Sequence, residues 1–183
     1  MTVETKRTGQ GTWVIDPAHT LVEFAVKHMM IATVKGRFGE VSGEIRLDDG
    51  APENSSVEVT IDASSIDTRN SDRDAHLRSA DFLDVEKFPA LTYRSRRVES
   101  SGAGKYRVVG DLTIRDVTRE VVLEVEEQGR GKDPWGGDRV AFSATTAIDR
   151  TDFGLVWNQA LETGGVLVSN GVRISLEVQA VLQ

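Results

Sequence analysis

The sequence contains no cysteine among its 183 residues. Disulfide frameworks, thiolate catalysis and zinc sites built from cysteine are therefore excluded. No apolar run approaches the length of about 20 residues that a membrane-spanning helix needs. The three histidines, His19, His28 and His76, form no HxH or HxxxH pair, and no metal-binding cluster surrounds them in the sequence. We therefore expect no metal site.

Positive charge is also scarce, since 22 Lys and Arg residues stand against 29 Asp and Glu residues, for a formal net charge of −7. A protein that binds a nucleic-acid backbone needs a basic face, so nucleic acid is not an expected partner. An acidic membrane surface is disfavoured for the same reason. The sequence also lacks the glycine-rich motifs of nucleotide-binding loops and the GxSxG motif of serine hydrolases.

Length and composition fit one ordinary soluble domain, with 39% hydrophobic and 28% charged residues. The N-terminal stretch MTVETKRTGQGTW has no apolar core and no cleavage site. We therefore expect no signal peptide and a cytoplasmic location. Residues 1–11 are polar and contain glycine, which predicts a flexible arm, and residues 12–183 are predicted to form a single domain.

Alternation of apolar and polar residues predicts strands along most of the chain, most clearly over residues 172–180. In the stretch 33–47 the apolar phase changes near Gly39, which predicts a bulge or sharp bend in one long strand. Roughly eight strands follow one another with mostly short connections, and this favours antiparallel pairing.

The predicted fold is all-β with short helices, in the form of an extended eight-stranded antiparallel barrel. Closure into a barrel removes exposed strand edges. A barrel of about eight strands either fills with its own side chains or leaves room for one ligand. The inward positions are rich in Val and Ala, Gly110 is among them, and aromatic residues make up only 6% of the chain. These features favour an open interior. A two-sheet sandwich gives the same sequence pattern and is the alternative.

One polar segment, SSIDTRNSDRDAHLRSADFLDVEKFPALTY at residues 64–93, interrupts the two-residue rhythm. Asn70 or Ser71 can cap a helix, because a short side-chain oxygen accepts a hydrogen bond from a free N–H group of the first turn. Pro89 ends the segment, since the residue before a proline is pushed toward extended geometry. The segment therefore predicts a helical lid near residues 70–87.

Five stretches together suggest a known family. They are WVIDPAHTLVEFAVKH (13–28), VKGRFGEVSGEI (34–45), the segment 64–93, VVGDLTIRDVTREVVLEV (108–125) and IDRTDFGL (148–155). In this order the chain resembles the YceI-like family of polyisoprenoid-binding proteins, which have a lipocalin-like barrel. The resemblance covers nearly all of residues 12–181.

The resemblance implies a barrel whose lumen binds one long isoprenoid or other amphiphilic lipid. Examples are a polyprenyl pyrophosphate, an isoprenoid quinone and a fatty acid derivative. It implies no catalysis and no cofactor besides the bound lipid, and it suggests a homodimer. Many relatives are exported to the periplasm, unlike the cytoplasmic location expected for this chain.

A hydrocarbon tail needs a dry tunnel, and each methylene removed from water contributes roughly 0.8 kcal/mol. The predicted tail-binding residues are the inward apolar side chains of the strands and the lid. They are Phe24, Val26, Phe38, Leu77, Phe82, Leu83, Tyr93, Leu112, Ile114, Phe142, Phe153, Leu155 and Trp157. For each one alone, plain core packing is the alternative, so the hypothesis concerns the set.

A polar head group would need hydrogen-bond donors at the mouth of the barrel. The candidates are His28, Arg69, Arg78 and Arg150, at strand ends or on the lid. For the arginines, ion pairing with nearby aspartates is the alternative. Two other functions stay open. One is an enzyme that acts on a lipid head group through His28 or His76, and the other is a packed barrel that serves only as an interaction module.

Overall fold

The structure is a computed structural model that describes residues 10–183. Within these residues the chain forms eleven strands and one α-helix. The strands are β1 (Gln10–Ile15), β2 (Leu21–His28), β3 (Ala32–Phe38), β4 (Val41–Asp48), β5 (Ser56–Asp62), β6 (Ile66–Asp67), β7 (Ala90–Gly102), β8 (Lys105–Ile114), β9 (Val117–Lys132), β10 (Asp138–Asp149) and β11 (Val168–Leu182). The helix is α1 (Ser71–Arg78), and short 3-10 turns cover Pro17–His19, Pro52–Asn54, Ala63–Ser65 and Arg150–Phe153.

The strands form one antiparallel sheet that closes on itself. The order around the ring is β1, β4, β5, β7, β8, β9, β10 and β11, and β11 pairs again with β1. β2, β3 and β6 continue this sheet beyond β1, β4 and β5, because β2 also pairs with β11, β3 with β2, and β6 with β3. The predicted eight-stranded antiparallel barrel is therefore confirmed, and the alternative sandwich is not formed.

The bend predicted near Gly39 is also confirmed, since the chain leaves the sheet at residues 39–40, between β3 and β4. The partner strand breaks opposite, at residues 16–20, between β1 and β2. Asp16 stabilises this break by accepting hydrogen bonds from the Ala18 N–H at 3.0 Å and from Arg139 Nη1 at 2.8 Å. Arg139, and then His19, lower the pKa of Asp16 from 3.8 to about 2.

The start of β1 differs from the prediction. Residues 1–9 of the predicted flexible arm lie outside the described residues. Gln10 and Gly11, assigned to the same arm, already pair with Asp48 and Leu47 of β4. Main-chain pairing does not require an apolar side chain, so the strand begins before the apolar pattern does.

The helical lid is shorter than predicted. Asn70 caps α1 by accepting a hydrogen bond from the Arg73 N–H at 3.0 Å, as expected for this residue. The helix ends at Arg78 instead of continuing to residue 87, because the Ser79 hydroxyl and N–H both bond the His76 carbonyl. Residues 79–88 continue as turns, with Asp84 at a φ of 49°. The lid is therefore a two-turn helix followed by a segment of consecutive turns, residues 79–88.

Tyr93 on β7 lies along the inner wall of the barrel, over the neighbouring strand β8, in the space left by Gly110. Its hydroxyl donates to the carbonyl oxygens of Val108 at 3.2 Å and Val121 at 3.0 Å. Burial raises the pKa of Tyr93, so the hydroxyl stays a donor. A Cβ atom at Gly110 would lie 2.6 Å from the Tyr93 Oη atom and 2.6 Å from the main-chain oxygen of Arg94.

Gly110→Ala is expected to lower the free energy of unfolding by about 1–3 kcal/mol, because the added methyl group overlaps both Tyr93 and fixed main chain. The matched control is Gly131→Ala on β9, where a Cβ would meet nothing within 4 Å. The control should stay within about 0.5 kcal/mol of the parent. Urea unfolding measures both. Equal midpoints for the two variants would contradict the proposed fit of Tyr93.

Candidate functional site

An apolar cavity of about 310 Å³ runs inside the barrel. This volume is at the lower end of the range of about 300–1,000 Å³ for ligand sites. One end lies under the lid, against Leu77 and Leu83, and the other end reaches Arg130. On β11 alone the lining extends from Val168 to Val178, which is roughly 30 Å of strand. The cavity is therefore long and narrow.

Most of the predicted tail-binding residues line this cavity. They are Phe24, Val26, Phe38, Leu77, Phe82, Leu83, Tyr93, Leu112, Ile114, Phe142 and Leu155. Phe153 and Trp157 do not. Phe153 is buried in the core behind the wall, and the Trp157 ring packs against His76 with ring centroids 4.6 Å apart. Contact with a ligand stays a prediction for the residues that line the cavity.

Sequence reasoning missed many aliphatic lining residues, especially on β4, β5, β9 and β11. Examples are Ile45, Val57, Val59, Val125, Ile174 and Leu176. Their signal was present, because each stands on the apolar side of an alternating strand.

Arg150 is the head-group candidate that lines the cavity. Its side chain is buried, with 6% of the residue exposed. Nη1 donates to the carbonyl oxygens of Leu155 at 2.7 Å and Trp157 at 2.9 Å, and Nε donates to Ser169 at 2.9 Å. These acceptors are all main-chain oxygens, and burial lowers the pKa of the Arg150 guanidinium. An arginine nevertheless stays charged, so a positive charge faces the lid end of the cavity.

The other three head-group candidates do not line the cavity. Arg78 donates to the carbonyl oxygens of Ser64 and Ile66, both at 2.9 Å, and so fastens α1 to β6 and to the turn that precedes it. Arg69 is exposed, in a turn with a φ of 63°. His28 ends β2 and pairs with Val168. Arg78 therefore helps to hold α1 in place, and contact of a head group with Arg69, Arg78 or His28 stays a prediction.

A charged network missed by the sequence reasoning occupies the far end of the cavity. Arg130 makes a two-pronged contact with Asp49, with both N–O distances at 2.7 Å, and also bonds Glu127 at 2.7 Å. Asp49 chiefly raises the pKa of Arg130. Because Asp49 is 81 residues from Arg130 in the chain, no local sequence pattern predicts this ion pair. The two carboxylates bond and compensate the charge at this end, whereas Arg150 is hydrogen-bonded to main-chain oxygens.

His76 has the geometry of a base with an orienting acid, since its Nε2 atom lies 2.8 Å from Asp81 Oδ2. Its ring, however, packs edge-on against Phe82 at 5.0 Å and Trp157, and His76 is not among the residues that line the cavity.

Across residues 10–183, no group of three or more His, Asp or Glu side chains is arranged to hold a metal ion. None of the helices described is long and apolar enough to cross a bilayer.

A closed antiparallel barrel around an elongated apolar cavity is the architecture of the lipocalin-like barrels. Comparison with known proteins narrows this class. The chain belongs to the YceI-like family, since the family model for the YceI-like domain matches residues 13–180.

Individual relatives agree with this assignment. A UPF0312 protein of Vibrio parahaemolyticus is 41% identical over 143 residues, which cover 77% of this chain and 76% of the relative. The crystal structure of BcnA from Burkholderia cenocepacia matches with a TM-score of 0.80 at 24% identity, over 90% of this chain and 98% of that one. A domain from Saccharophagus degradans, described as polyisoprenoid binding, matches with a TM-score of 0.68 at 14% identity, over 93% and 98%. At these identities the two structures show a common fold.

Proposed function

We propose that this protein binds one long amphiphilic lipid, most simply a polyisoprenoid, inside the barrel. The observation that carries the proposal is the shape and chemistry of the cavity, which is apolar along its length and meets charged side chains at its ends. A long linear hydrocarbon fills such a space, whereas a compact or polar ligand leaves most of the apolar wall without contact.

The driving force would be the transfer of the tail out of water. At roughly 0.8 kcal/mol for each buried methylene, a tail of many carbons binds tightly without hydrogen bonds. The apolar lining contacts the tail on all sides, and the lid with the loop 151–167 covers one end. The protein would therefore act by sequestering or carrying the lipid, with no chemical change to it.

The head group would lie at the lid end. Arg150 brings a buried positive charge there, and a phosphate, pyrophosphate, carboxylate or quinone oxygen would be an acceptor for it. The far end is less suited to an acidic head group, because the charge of Arg130 is already paired with Asp49 and Glu127. The polyisoprenoid-binding domain of Saccharophagus degradans supports this ligand class by analogy of fold. A polyprenyl pyrophosphate, an isoprenoid quinone and a fatty acid derivative are the candidates.

A head-group enzyme is the second candidate, because His76 and Asp81 form a hydrogen-bonded pair on the lid. Turnover of an offered prenyl phosphate, lost in His76→Asn, would favour it over simple binding. The packed interaction module is less favoured, since a packed barrel would be filled by its own side chains and this barrel contains a cavity. The homodimer, which the family resemblance suggests, and the cytoplasmic location stay predictions.

The test is native mass spectrometry of the protein purified from its own host, followed by extraction of any bound lipid. We expect one lipid for each chain. Delipidated protein should then bind offered polyprenyl phosphates, isoprenoid quinones or fatty acids, and binding should tighten as the apolar tail lengthens. The absence of any co-purifying lipid, together with no binding of the offered compounds, would contradict the proposal.

A further inference from the structure

The turn between β2 and β3 displays three large apolar side chains to solvent. Met29 is 44% exposed, Met30 59% and Ile31 80%. The turn is closed by a hydrogen bond from the Ile31 N–H to the His28 carbonyl at 3.2 Å. A hydrogen bond from the Met29 N–H to the Leu167 carbonyl at 2.8 Å joins the turn to the loop that precedes β11. A cluster of exposed apolar side chains, as distinct from single exposed ones such as Trp135 and Val156, indicates a contact site.

This turn lies beside the lid end of the cavity. His28, its first residue, pairs with Val168, which lines the cavity. The carbonyl of Val168 also accepts a hydrogen bond from Arg150 Nη2 at 3.4 Å. The apolar tip is therefore linked by two contacts to the buried arginine at which the head group is proposed to lie.

The backbone of the turn is unfavourable for the residues that occupy it. Met29 and Met30 have φ values of 53° and 65°. Positive φ at both central residues is the geometry of a type I′ turn, where Asn-Gly is strongly preferred and side chains such as methionine are strained. Met30 lies against Gly165 of the loop that precedes β11, but Met30 is still 59% exposed and Ile31 80%. An unfavourable backbone of this kind points to a function for the side chains that it displays.

The hairpin that carries the tip is basic, although the chain as a whole is acidic and the loop packed against the tip, residues 159–167, carries Glu162. The hairpin KHMMIATVKGR, residues 27–37, holds Lys27, Lys35 and Arg37 and contains no Asp or Glu. Arg37 faces Asp67 at 3.6 Å. Lys27 bonds the Thr33 hydroxyl at 3.0 Å rather than a carboxylate. The net charge of −7 disfavours an acidic surface for the whole chain, but this hairpin is a local exception with the opposite sign.

We propose that the β2–β3 turn inserts Met30 and Ile31 into the surface of an anionic lipid bilayer, with Lys27 and Lys35 against the lipid headgroups. Apolar side chains flanked by lysines are the combination that binds such interfaces. The contact brings the mouth of the cavity to the membrane, so that a lipid passes between bilayer and barrel. The purpose of the contact rests on the function proposed above, but the contact itself is measurable without it.

The test is co-sedimentation of delipidated protein with vesicles of phosphatidylcholine and phosphatidylglycerol in equal parts, and with vesicles of phosphatidylcholine alone. Wild-type protein should bind the anionic vesicles and lose binding in high salt. Ile31→Ser should weaken this binding at least about tenfold. Trp135→Ser is the matched control, because Trp135 is 87% exposed on the β9–β10 turn at the opposite end of the barrel. It should leave binding unchanged.

A second variant separates function from stability. Met29→Asn with Met30→Gly places the preferred residues in the turn, so its Tm should rise by a few degrees, about 2–6 °C, while vesicle binding falls as in Ile31→Ser. Wild-type protein that ignores both kinds of vesicle would overturn the proposal. So would tip variants that bind like the wild type, or tip variants that change only the oligomeric state, which would indicate a second copy as the partner.

The two proposals fail in different ways. Native mass spectrometry of Ile31→Ser, loaded with a prenyl phosphate in detergent, should still show a lipid in the barrel. A barrel that holds no lipid but sediments with anionic vesicles through its tip contradicts only the proposed function. A barrel that holds lipid but ignores vesicles contradicts only the membrane contact.

Discussion

Ala144→Phe is expected to abolish lipid binding while the barrel stays folded. Ala144 is buried on β10, lines the cavity, and pairs with Val125 on β9 and Leu176 on β11, which also line it. A phenyl ring added here enters the narrow cavity and blocks the path of the tail. We expect the affinity for a prenyl compound to fall at least about 100-fold, or about 2.7 kcal/mol. Titration of delipidated protein measures this.

Stability should change in the opposite direction. Filling an empty apolar space commonly stabilises a protein by about 0.5–2 kcal/mol, so the urea midpoint of the lipid-free variant should stay the same or rise. Thr145→Phe is the control, because Thr145 is the next residue on β10 and points out to solvent. Full binding by Ala144→Phe would show that the lipid lies elsewhere. Should the phenyl ring unfold the barrel, Ala144→Leu tests the same wall with a smaller side chain.

The barrel could be predicted because alternation is a local property. Residues 172–180 alternate without interruption, and their partners on β2 and β10 alternate less strictly, with Thr146 on the apolar side of β10. Each strand therefore presents one apolar face, and closure buries all of these faces together. Most of the expected tail-binding residues also line the cavity, since a side chain such as Phe142 has only two directions available in a strand.

Outside the strands the prediction was weaker. Phe153 and Trp157 lie in a stretch with no period, so nothing local showed that they would pack behind the wall. Arg78 bonds main-chain oxygens of residues 64 and 66, a contact that depends on how the helix docks. The pair of Arg130 and Asp49 joins distant parts of the chain. Interactions that only the folded topology creates leave no signature in a single sequence.

The conformation and role of the turn at Met29 and Met30 were not predicted, for a different reason. Local propensity does not predict positive φ for two methionines, and the sequence reasoning gave this turn no role. Sites where a chain departs from its local conformational preferences are often functional sites. In this barrel the departure, the exposed apolar tip and the basic flank coincide beside the proposed head-group end of the cavity.

Arg150→Met is expected to cause the largest loss of stability among the single changes considered. The guanidinium holds the carbonyl oxygens of Leu155, Trp157 and Ser169, and so fixes the loop between β10 and β11. A buried acceptor left without a donor costs about 1–3 kcal/mol, so the free energy of unfolding should fall by about 3 kcal/mol or more. Urea unfolding of the lipid-free protein measures this. Arg69→Met, on the exposed turn before α1, should stay within about 0.5 kcal/mol of the parent.

Arg150→Lys then separates the structural role from the head-group role. The lysine keeps the positive charge but loses the planar set of donors that reaches several carbonyls, so the loop should be only partly restored. If Arg150 receives the head group, this variant should still prefer a prenyl phosphate over the uncharged prenol of the same length. Arg150→Met, assayed below its lowered Tm, should lose that preference. An unchanged preference in Arg150→Met would leave Arg150 as a structural residue only and would require another cation for the head group.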